Sequence, residues 1–435
     1  MKKIGIREED KYVAERRVSI TPDHAKRLLE KHQIEVHFKP SKKRIYRDEE
    51  FLAAGCKPDE SLTDPDIIFG VKEIPINSFE KNKTYIFFSH VIKGQPYNMP
   101  MLKKMMEMEC NLIDYERVVD DNNRRLIFFG RFAGLAGTIN SLWSLGLRLK
   151  AQGIDTPFLK LKHAVEYHSL KEAQEAITII GKEIKEKGLP KEICPLVIGI
   201  TGYGNVSKGA QEITDLLPVQ KISPAELLTL KGKEANCKVI YKVVFKEIDM
   251  FTKMDGGEFD LQHFFHNPTE YKADFEKFIP SISVLINCIY WDHNFDRIVK
   301  KSHLKEHWKE EDFKLTVIGD ITCDPDGSIE ATHKGTDIED PIFVYHPETE
   351  VPTFGHTGEG ILIMAVDILP SELPRDSSYA FADALEPFVA AIANCDYALP
   401  FEQLTLPMPI RKAMILHKGK LTPDYLYLEK FVNSI

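Results

Sequence analysis

Near its midpoint the chain runs from an apolar stretch, Leu196-Val-Ile-Gly-Ile200, through Thr201-Gly-Tyr-Gly-Asn205 into Val206-Ser-Lys-Gly-Ala-Gln-Glu-Ile213. A buried strand that turns on glycines into a helix points to a doubly wound α/β sheet. Gly202 permits the tight turn, and Gly204 places no side chain where an anion would approach the main chain. The helix that follows would aim its free N–H groups at that anion, and a dinucleotide pyrophosphate suits the arrangement. The third small position of the usual fingerprint is Ser207, with Gly209 two residues later. Serine still fits a close helix–strand contact, while an ordinary βα turn would carry the same letters.

Nearly 200 residues precede this turn, so it opens a second lobe rather than the first. The 435 residues are 43% apolar and 28% charged, enough to bury large cores in two or three domains. A net charge of -9 argues against a nucleic-acid partner, and Lys42-Lys43-Arg44 reads as a solvated patch. The N-terminus begins a strand at once, and no apolar run approaches membrane-spanning length. A cytoplasmic protein with no membrane contact is therefore expected. Seven cysteines lie scattered without a C-x-x-C pair, which predicts reduced thiols. His263-Phe-Phe-His266 has no obvious third ligand, so no metal is expected.

From residue 1 strand and helix alternate. Ile4–Ile6, Ile34–Phe38, Ile67–Val71, Tyr85–Phe88 and Leu112–Tyr115 read as strands; Thr21-Pro22-Asp23 reads as the start of a helix through Lys31, and a second helix runs from about Asp48 to Ala54. A long apolar helix with small residues, from about Ala133 to Gln152, leads to the second lobe. There Leu196–Ile200, Val219–Ile222, Val239–Val244, Val284–Tyr290 and Leu315–Asp320 form a second sheet, with 246–280 as an unassigned aromatic insertion. Two further helices are expected, Gly358–Leu369 and Ala380–Ala393. The fold predicted is α/β, two Rossmann-like doubly wound parallel-sheet lobes with a cleft between them. Residues 1–130 plus about 325–435 would form a substrate lobe and 131–324 a dinucleotide lobe.

Ligands in such sheets lie beyond the carboxyl ends of the strands. Those ends carry Lys72, His90 with Lys93 and Gln95 beyond it, Asp320, and Glu15-Arg16-Arg17; Arg124-Arg125 precedes the long helix. A lysine and a histidine at neighbouring strand ends can act as an acid–base pair. Arginines offer paired N–H donors to carboxylates, so an anionic substrate is expected.

Six blocks carry a more specific signal: Glu15-Arg-Arg-Val-Ser-Ile-Thr-Pro22, Phe69-Gly-Val-Lys-Glu73, Phe87-Phe-Ser-His-Val-Ile-Lys-Gly-Gln95, Leu112-Ile-Asp-Tyr-Glu116, Thr201–Gln211 and Leu285-Ile-Asn-Cys-Ile-Tyr-Trp291. Together they resemble lysine 2-oxoglutarate reductase, the saccharopine-forming half of aminoadipic semialdehyde synthase. More distantly the chain is similar to fungal lysine-forming saccharopine dehydrogenase, alanine dehydrogenase and the transhydrogenase α subunit. The resemblance implies Lys72 and His90 as acid–base residues, with Arg17, Arg125, Phe129 and Asn287 toward the substrate. It implies a coenzyme held by Gln95, Arg124, Gly202, Tyr203, Gly204, Asn205, Ile286 and Asp320. Substrates would be L-lysine and 2-oxoglutarate and the product saccharopine, with a separate saccharopine dehydrogenase acting next.

Coenzyme choice turns on the end of the next strand in sequence. Gln220-Lys221-Ile222-Ser223 shows no acid before Glu226, so Lys221 and Ser223 would favour the 2′-phosphate of NADPH over NADH. Two other readings stay open: an NAD-dependent saccharopine dehydrogenase forming lysine, and a coenzyme-binding regulatory protein without turnover.

Overall fold

The structure is a computed structural model describing residues 1–230 and 235–434. It divides into two compact units, 1–129 with 374–435, and 130–373.

The first unit is built on one sheet. Strands β1 (Lys2–Ile6), β2 (Ile34–Phe38), β3 (Lys57–Pro58), β4 (Ile67–Phe69), β5 (Thr84–Phe87) and β6 (Asn111–Asp114) are parallel. The period-two alternation of each strand sends Ile4, Ile6, Val36, Phe69, Ile86 and Ile113 to one face and Ile68, Tyr85, Phe87 and Leu112 to the other. The helix Pro374–Asn394 packs Phe381, Leu385 and Val389 on the first face, and the helix Met99–Glu107 covers the second. Two late strands complete the sheet, β17 (Met414–His417) antiparallel on β6 and β18 (Lys420–Leu421) antiparallel on β17, giving the order β18-β17-β6-β5-β4-β1-β2-β3. Arg44, expected in a solvated patch, is buried, with its guanidinium 5.1 Å from the Phe51 ring; its aliphatic stem fits an apolar surface.

The second unit holds strands β7 (Val197–Thr201), β8 (Val219–Lys221), β9 (Ile240–Phe245), β12 (Val284–Asn287), β13 (Val317–Asp320), β14 (Ile342–Tyr345), β15 (Pro352–Phe354) and β16 (Ile361–Met364), in the order β15-β14-β16-β13-β12-β7-β9-β8. Only β14 runs against the rest, pairing antiparallel with both β15 and β16. The helix Gly130–Ala151 belongs to this unit and lies against the helix Asn205–Thr214 at very short range. A Cβ at Gly134 would stand 1.9 Å from the Val206 carbonyl oxygen, and one at Gly209 would stand 2.1 Å from that of Arg131. The insertion folds as a short hairpin, β10 (Phe251–Lys253) with β11 (Tyr271–Ala273), and a helix Leu261–His266, closed by Phe251, Phe264, Tyr271, Phe275 and Phe278 against Phe245. His263 hydrogen-bonds the Tyr271 hydroxyl at 3.1 Å, and His266 the Gln262 carbonyl at 2.7 Å.

Three expectations need correction. The run after Gly358 is not a helix: β16 occupies Ile361–Met364, fully buried between β13 and β14. A strand covered on both faces reads as an unbroken apolar run, which periodicity alone cannot separate from a buried helix. Consequently residues 325–373 extend the second sheet, and the chain returns to the first unit only at Pro374. Cys194 and Cys237 form a disulfide, leaving Cys56, Cys110, Cys288, Cys323 and Cys395 free. Parallel pairing sets Val197 of β7 opposite Tyr241 of β9. Each cysteine lies just ahead of its strand, and the sheet brings their Cα atoms to 5.5 Å. Among the described residues no helix is long and apolar enough to cross a membrane.

Candidate active site

In the first unit the residues at the carboxyl ends of β1, β4, β5 and β6 form a connected set. Glu9, just past β1, is buried, and its carboxylate accepts the backbone N–H groups of Val71 and Lys72, both at 2.8 Å. This fixes the backbone that carries Lys72. Burial raises the pKa of Glu9 despite Arg7, 3.7 Å away.

Glu73 is buried and takes His90 Nδ1 at 2.8 Å and Lys11 Nζ at 2.5 Å on the same oxygen. Burial alone would raise its pKa, but the hydrogen bonds from His90 and Lys11 win and hold it at about 2. A carboxylate on Nδ1 fixes the imidazole tautomer and leaves Nε2 to work. His90 stands at φ 50, in the left-handed region, and its carbonyl is held by the Asn98 amide at 3.0 Å. A non-glycine residue kept there is over-determined by its surroundings, as functional residues often are. Ser89 alongside donates its N–H to Asp114 at 3.1 Å. Burial pushes the Asp114 carboxyl up to about 6.

Arg17 is buried and pairs with Glu15 through Nε at 2.8 Å and Nη2 at 2.6 Å. Burial works to raise the Glu15 pKa, but Arg17, helped by the nearby charge of Lys72, holds it below the usual range. The Arg17 guanidinium sits 4.2 Å from the Phe129 ring, itself stacked on Phe381 at 4.6 Å. Lys72, Arg17, Phe129 and His90 are thus joined through Glu15, Glu73 and Phe88, whose ring stacks on His90 at 6.2 Å. The Nε–Nη2 edge of Arg17 is occupied by Glu15, which leaves the opposite edge of the guanidinium for a substrate carboxylate. Arg125 is exposed and bonds Glu116, while Arg124 is exposed and bonds Asp120 at 2.8 Å. Both lie on the turn after β6 rather than in the connected set. Gln95 carries a buried Oε1 with no hydrogen-bond partner.

In the second unit Gly202 has φ +75, and its N–H bonds the Phe245 carbonyl at 2.8 Å. Gly204 caps the helix Asn205–Thr214 without a side-chain cap, and a Cβ there would meet nothing within 4 Å. Open space in front of uncapped N–H groups fits a pyrophosphate. Gly202, Tyr203 and Gly204 border a cavity of about 280 Å³ walled by Glu247, Phe251, Phe264, Tyr290 and Trp291. Asn205 is exposed at the helix start.

Asn287 and Asp320 are fully buried and meet each other: the Asn287 amide donates to Asp320 at 2.8 Å and to Ser328 at 2.8 Å, and accepts from Thr201 at 2.9 Å. Burial pushes Asp320 up to about 6. These two, with the buried side chain of Ile286, shape the strand ends from within. Lys221 is exposed, 3.9 Å from Asp215, and Ser223 forms a reciprocal capping box with Glu226.

Sequence reasoning missed Glu9, Glu15, Glu73 and Asp114 as the groups that hold these side chains. Only Glu15 carried a signal, as an acid two residues from the arginine it pairs with; Glu73 stands beside Lys72 in sequence but holds His90 and Lys11. The other two become visible only when the sheet aligns the strand ends.

Residues 5–136 match the alanine dehydrogenase/PNT N-terminal domain. The chain is 37% identical to α-aminoadipic semialdehyde synthase of Arabidopsis thaliana, over 99% of this chain and 42% of that protein. It is 35% identical to the mitochondrial α-aminoadipic semialdehyde synthase of Mus musculus, over 99% of this chain and 48% of that protein. The chain therefore spans about half the length of these curated relatives. The name of the mouse relative contrasts with the cytoplasmic setting expected from sequence. The NAD+-dependent, L-lysine-forming saccharopine dehydrogenase of Yarrowia lipolytica is 27% identical, over 91% of this chain and 94% of that protein. Among solved structures, L-alanine dehydrogenase superposes with a TM-score of 0.64 at 16% identity, covering 99% of both chains. A transhydrogenase from Sinorhizobium meliloti gives 0.56 at 14%, covering 97% of this chain and 100% of that one. Sequence and fold together place the chain among the relatives of the α-aminoadipic semialdehyde synthases and saccharopine dehydrogenases, on an alanine dehydrogenase-like α/β architecture.

Proposed function

We propose that the protein catalyses the reductive condensation of L-lysine with 2-oxoglutarate to saccharopine. The observation that carries this reading is the pairing of His90 with Glu73 next to Lys72, two proton carriers on adjacent strand ends in the unit that also holds Arg17.

His90, with Nδ1–H donated to Glu73, has Nε2 to take the proton released as the lysine ε-amine attacks the keto carbon. Lys72, held by Glu9 through the backbone, donates the proton with which the carbinol oxygen leaves as water, giving an imine. Arg17 Nη1 and, from the turn after β6, Arg125 would bind substrate carboxylates and orient the carbon to be reduced. The nicotinamide dinucleotide supplies the hydride for that carbon. Gly202, Tyr203, Gly204 and Asn205 would hold its pyrophosphate, and Gln95 keeps an unpartnered carboxamide oxygen that would accept a ligand N–H.

The reverse reaction, oxidation of saccharopine to lysine, is the second reading, favoured by the near full-length match to the Yarrowia enzyme. Initial rates of reduced-coenzyme oxidation with 2-oxoglutarate and a series of amines test the proposal, with saccharopine oxidation as the opposing assay. Lysine should be the preferred amine; absence of lysine-dependent turnover in both directions refutes the proposal and favours a coenzyme-binding protein without turnover.

Expecting NADPH from the end of β8 requires β8 to flank the glycine-turn strand. The sheet puts β9 there instead, so the choice of coenzyme rests on other residues.

A further inference from the structure

The first unit holds a cavity that the reaction above does not use. It measures about 300 Å³ and is bordered by Arg7 and Glu8 past β1, Lys39 past β2, Glu60 past β3, and the side chains of Ile68 and Tyr85. It lies on the face of the sheet that carries Ile68 and Tyr85, whereas Phe88, Phe129 and Phe381, beside His90 and Arg17, belong to the opposite face. Its volume is at the lower end of ligand pockets and suits a small molecule.

Most of the charged groups around this cavity already have partners. Asp10 accepts from Arg7 Nη2 at 2.7 Å, Glu80 pairs with Lys83 at 3.1 Å, and Glu8 accepts the Ser41 hydroxyl at 2.8 Å. Three groups are left over. Arg7 is buried, and its Nη1 is enclosed without a hydrogen-bond partner, with Glu9 3.7 Å away. Lys39 is half-buried, and among the described residues its ammonium makes no hydrogen bond or ion pair; the exposed carboxylate of Glu60 makes none either. A buried donor without an acceptor is costly, and a ligand that supplies the acceptor removes that cost. Cationic donors and a free carboxylate above an apolar wall of Leu62, Ile68, Ile74 and Tyr85 match a molecule with a carboxylate, an ammonium and an aliphatic stem.

We propose that this cavity binds a free α-amino acid as its zwitterion, and that the bound molecule acts on Lys72 through Arg7 and Glu9. The ligand carboxylate lies on Lys39 and Arg7 Nη1, the ammonium on Glu60, and the stem on the apolar wall. The path to Lys72 is short. Glu9 holds the backbone N–H groups of Val71 and Lys72, both at 2.8 Å, and Arg7 is the cation that offsets the burial of that carboxylate. A ligand carboxylate on Arg7 weakens this support, so Glu9 takes up a proton more readily and gives up an acceptor position. Lys72 is then held less firmly, and turnover falls. This second step rests on the role given to Lys72 above.

The test uses the full chain and L-norleucine, an amino acid whose side chain carries no amine for the condensation. Calorimetry should show saturable binding, about tenfold tighter than that of hexanoate or pentylamine, each of which carries only one of the two charges. Lys39→Ala and the isosteric Glu60→Gln should each weaken it by about tenfold. In lysine-dependent oxidation of reduced coenzyme, norleucine should lower kcat, and Lys39→Ala should remove that effect. No saturable binding of norleucine, or equal binding by wild type and both variants, overturns the site. A rise in KM for lysine at constant kcat assigns norleucine to the lysine site and overturns the link to Lys72. Absence of lysine-dependent turnover overturns the reductase reading together with that link, and the calorimetry still decides the site.

Discussion

Gly134→Ala is the sharpest test of how the second unit supports its ligand. The added methyl would lie 1.9 Å from the Val206 carbonyl oxygen, with the Ala210 backbone nitrogen at 2.8 Å. No flexible side chain can yield there, because both obstacles are main chain of the helix Asn205–Thr214. Reaching ordinary contact at 3.4 Å requires the two helices to part by about 1.5 Å. Inserting a methyl into a packed core costs about 1 to 3 kcal/mol when side chains can adjust. Here only backbone can move, so about 3 kcal/mol is expected, a fall in Tm of roughly 6 to 12 °C for a unit of this size. The same displacement shifts the N-terminus of that helix and the turn at Gly202 and Gly204, so coenzyme affinity should fall with it. Gly204→Ala is the control: nothing lies within 4 Å of its added Cβ, so Tm should hold while the methyl blocks close approach of the pyrophosphate. Thermal unfolding followed by circular dichroism, with coenzyme titration of each variant, measures both effects. A Gly134→Ala Tm within about 2 °C of wild type would refute the close-packing argument. Equal loss of stability in Gly204→Ala would refute the distinction between the two glycines.

Lys72→Met and His90→Gln should each reduce turnover by about 10² to 10⁴-fold, the usual size of a general acid–base contribution; near-normal kcat in both removes them from the chemistry. Glu73→Gln should lower kcat while weakening the fold by roughly 3 kcal/mol near neutral pH, the linkage value for a carboxyl held at about 2. Because that pKa is depressed, the contribution of Glu73 is present above its unfolded value and lost as pH falls toward about 2. Denaturant titrations of both proteins should converge in acid, and a gap that persists at low pH contradicts the pairing. Asp320 has the opposite sign: with its carboxyl pushed up to about 6, its ionisation opposes folding as pH rises from about 4 to about 6. Asp320→Asn should remove that decline relative to wild type, and parallel stability curves over this interval would exclude it.

The parallel strands and their polar carboxyl ends were legible because buried β-strands bounded by turns write short apolar runs, and because ligand-facing residues follow them directly. Lys72, His90 and Gly202 were found this way. What sequence order could not give was adjacency in space. Taking β8 as the ribose-reading strand treats the next strand in sequence as the neighbouring strand, and the edge position of β8 breaks that equivalence. The Cys194–Cys237 bond has the same origin, since it depends on β7 pairing with β9. Asn287 and Asp320 carried polar identities that suit a ligand, but their hydrogen bonds close on each other. Arg17 also has a partner within the chain: one edge of its guanidinium is paired with Glu15.

The first unit is encoded in two pieces, 1–129 and 374–435, while 130–373 is continuous. A ribosome therefore delivers Lys72 and His90 early but supplies β17, the partner of β6, and Phe381, the ring stacked on Phe129, only after the whole second unit. The glycine-turn unit can complete itself while the edge of β6 still lacks its neighbour, since domains fold largely as units during synthesis. A nascent chain stalled before Pro374 would thus present a finished second unit beside an open sheet edge, the kind of surface that invites mispairing. The unit that carries Lys72 and His90, though begun first, would be the last to close.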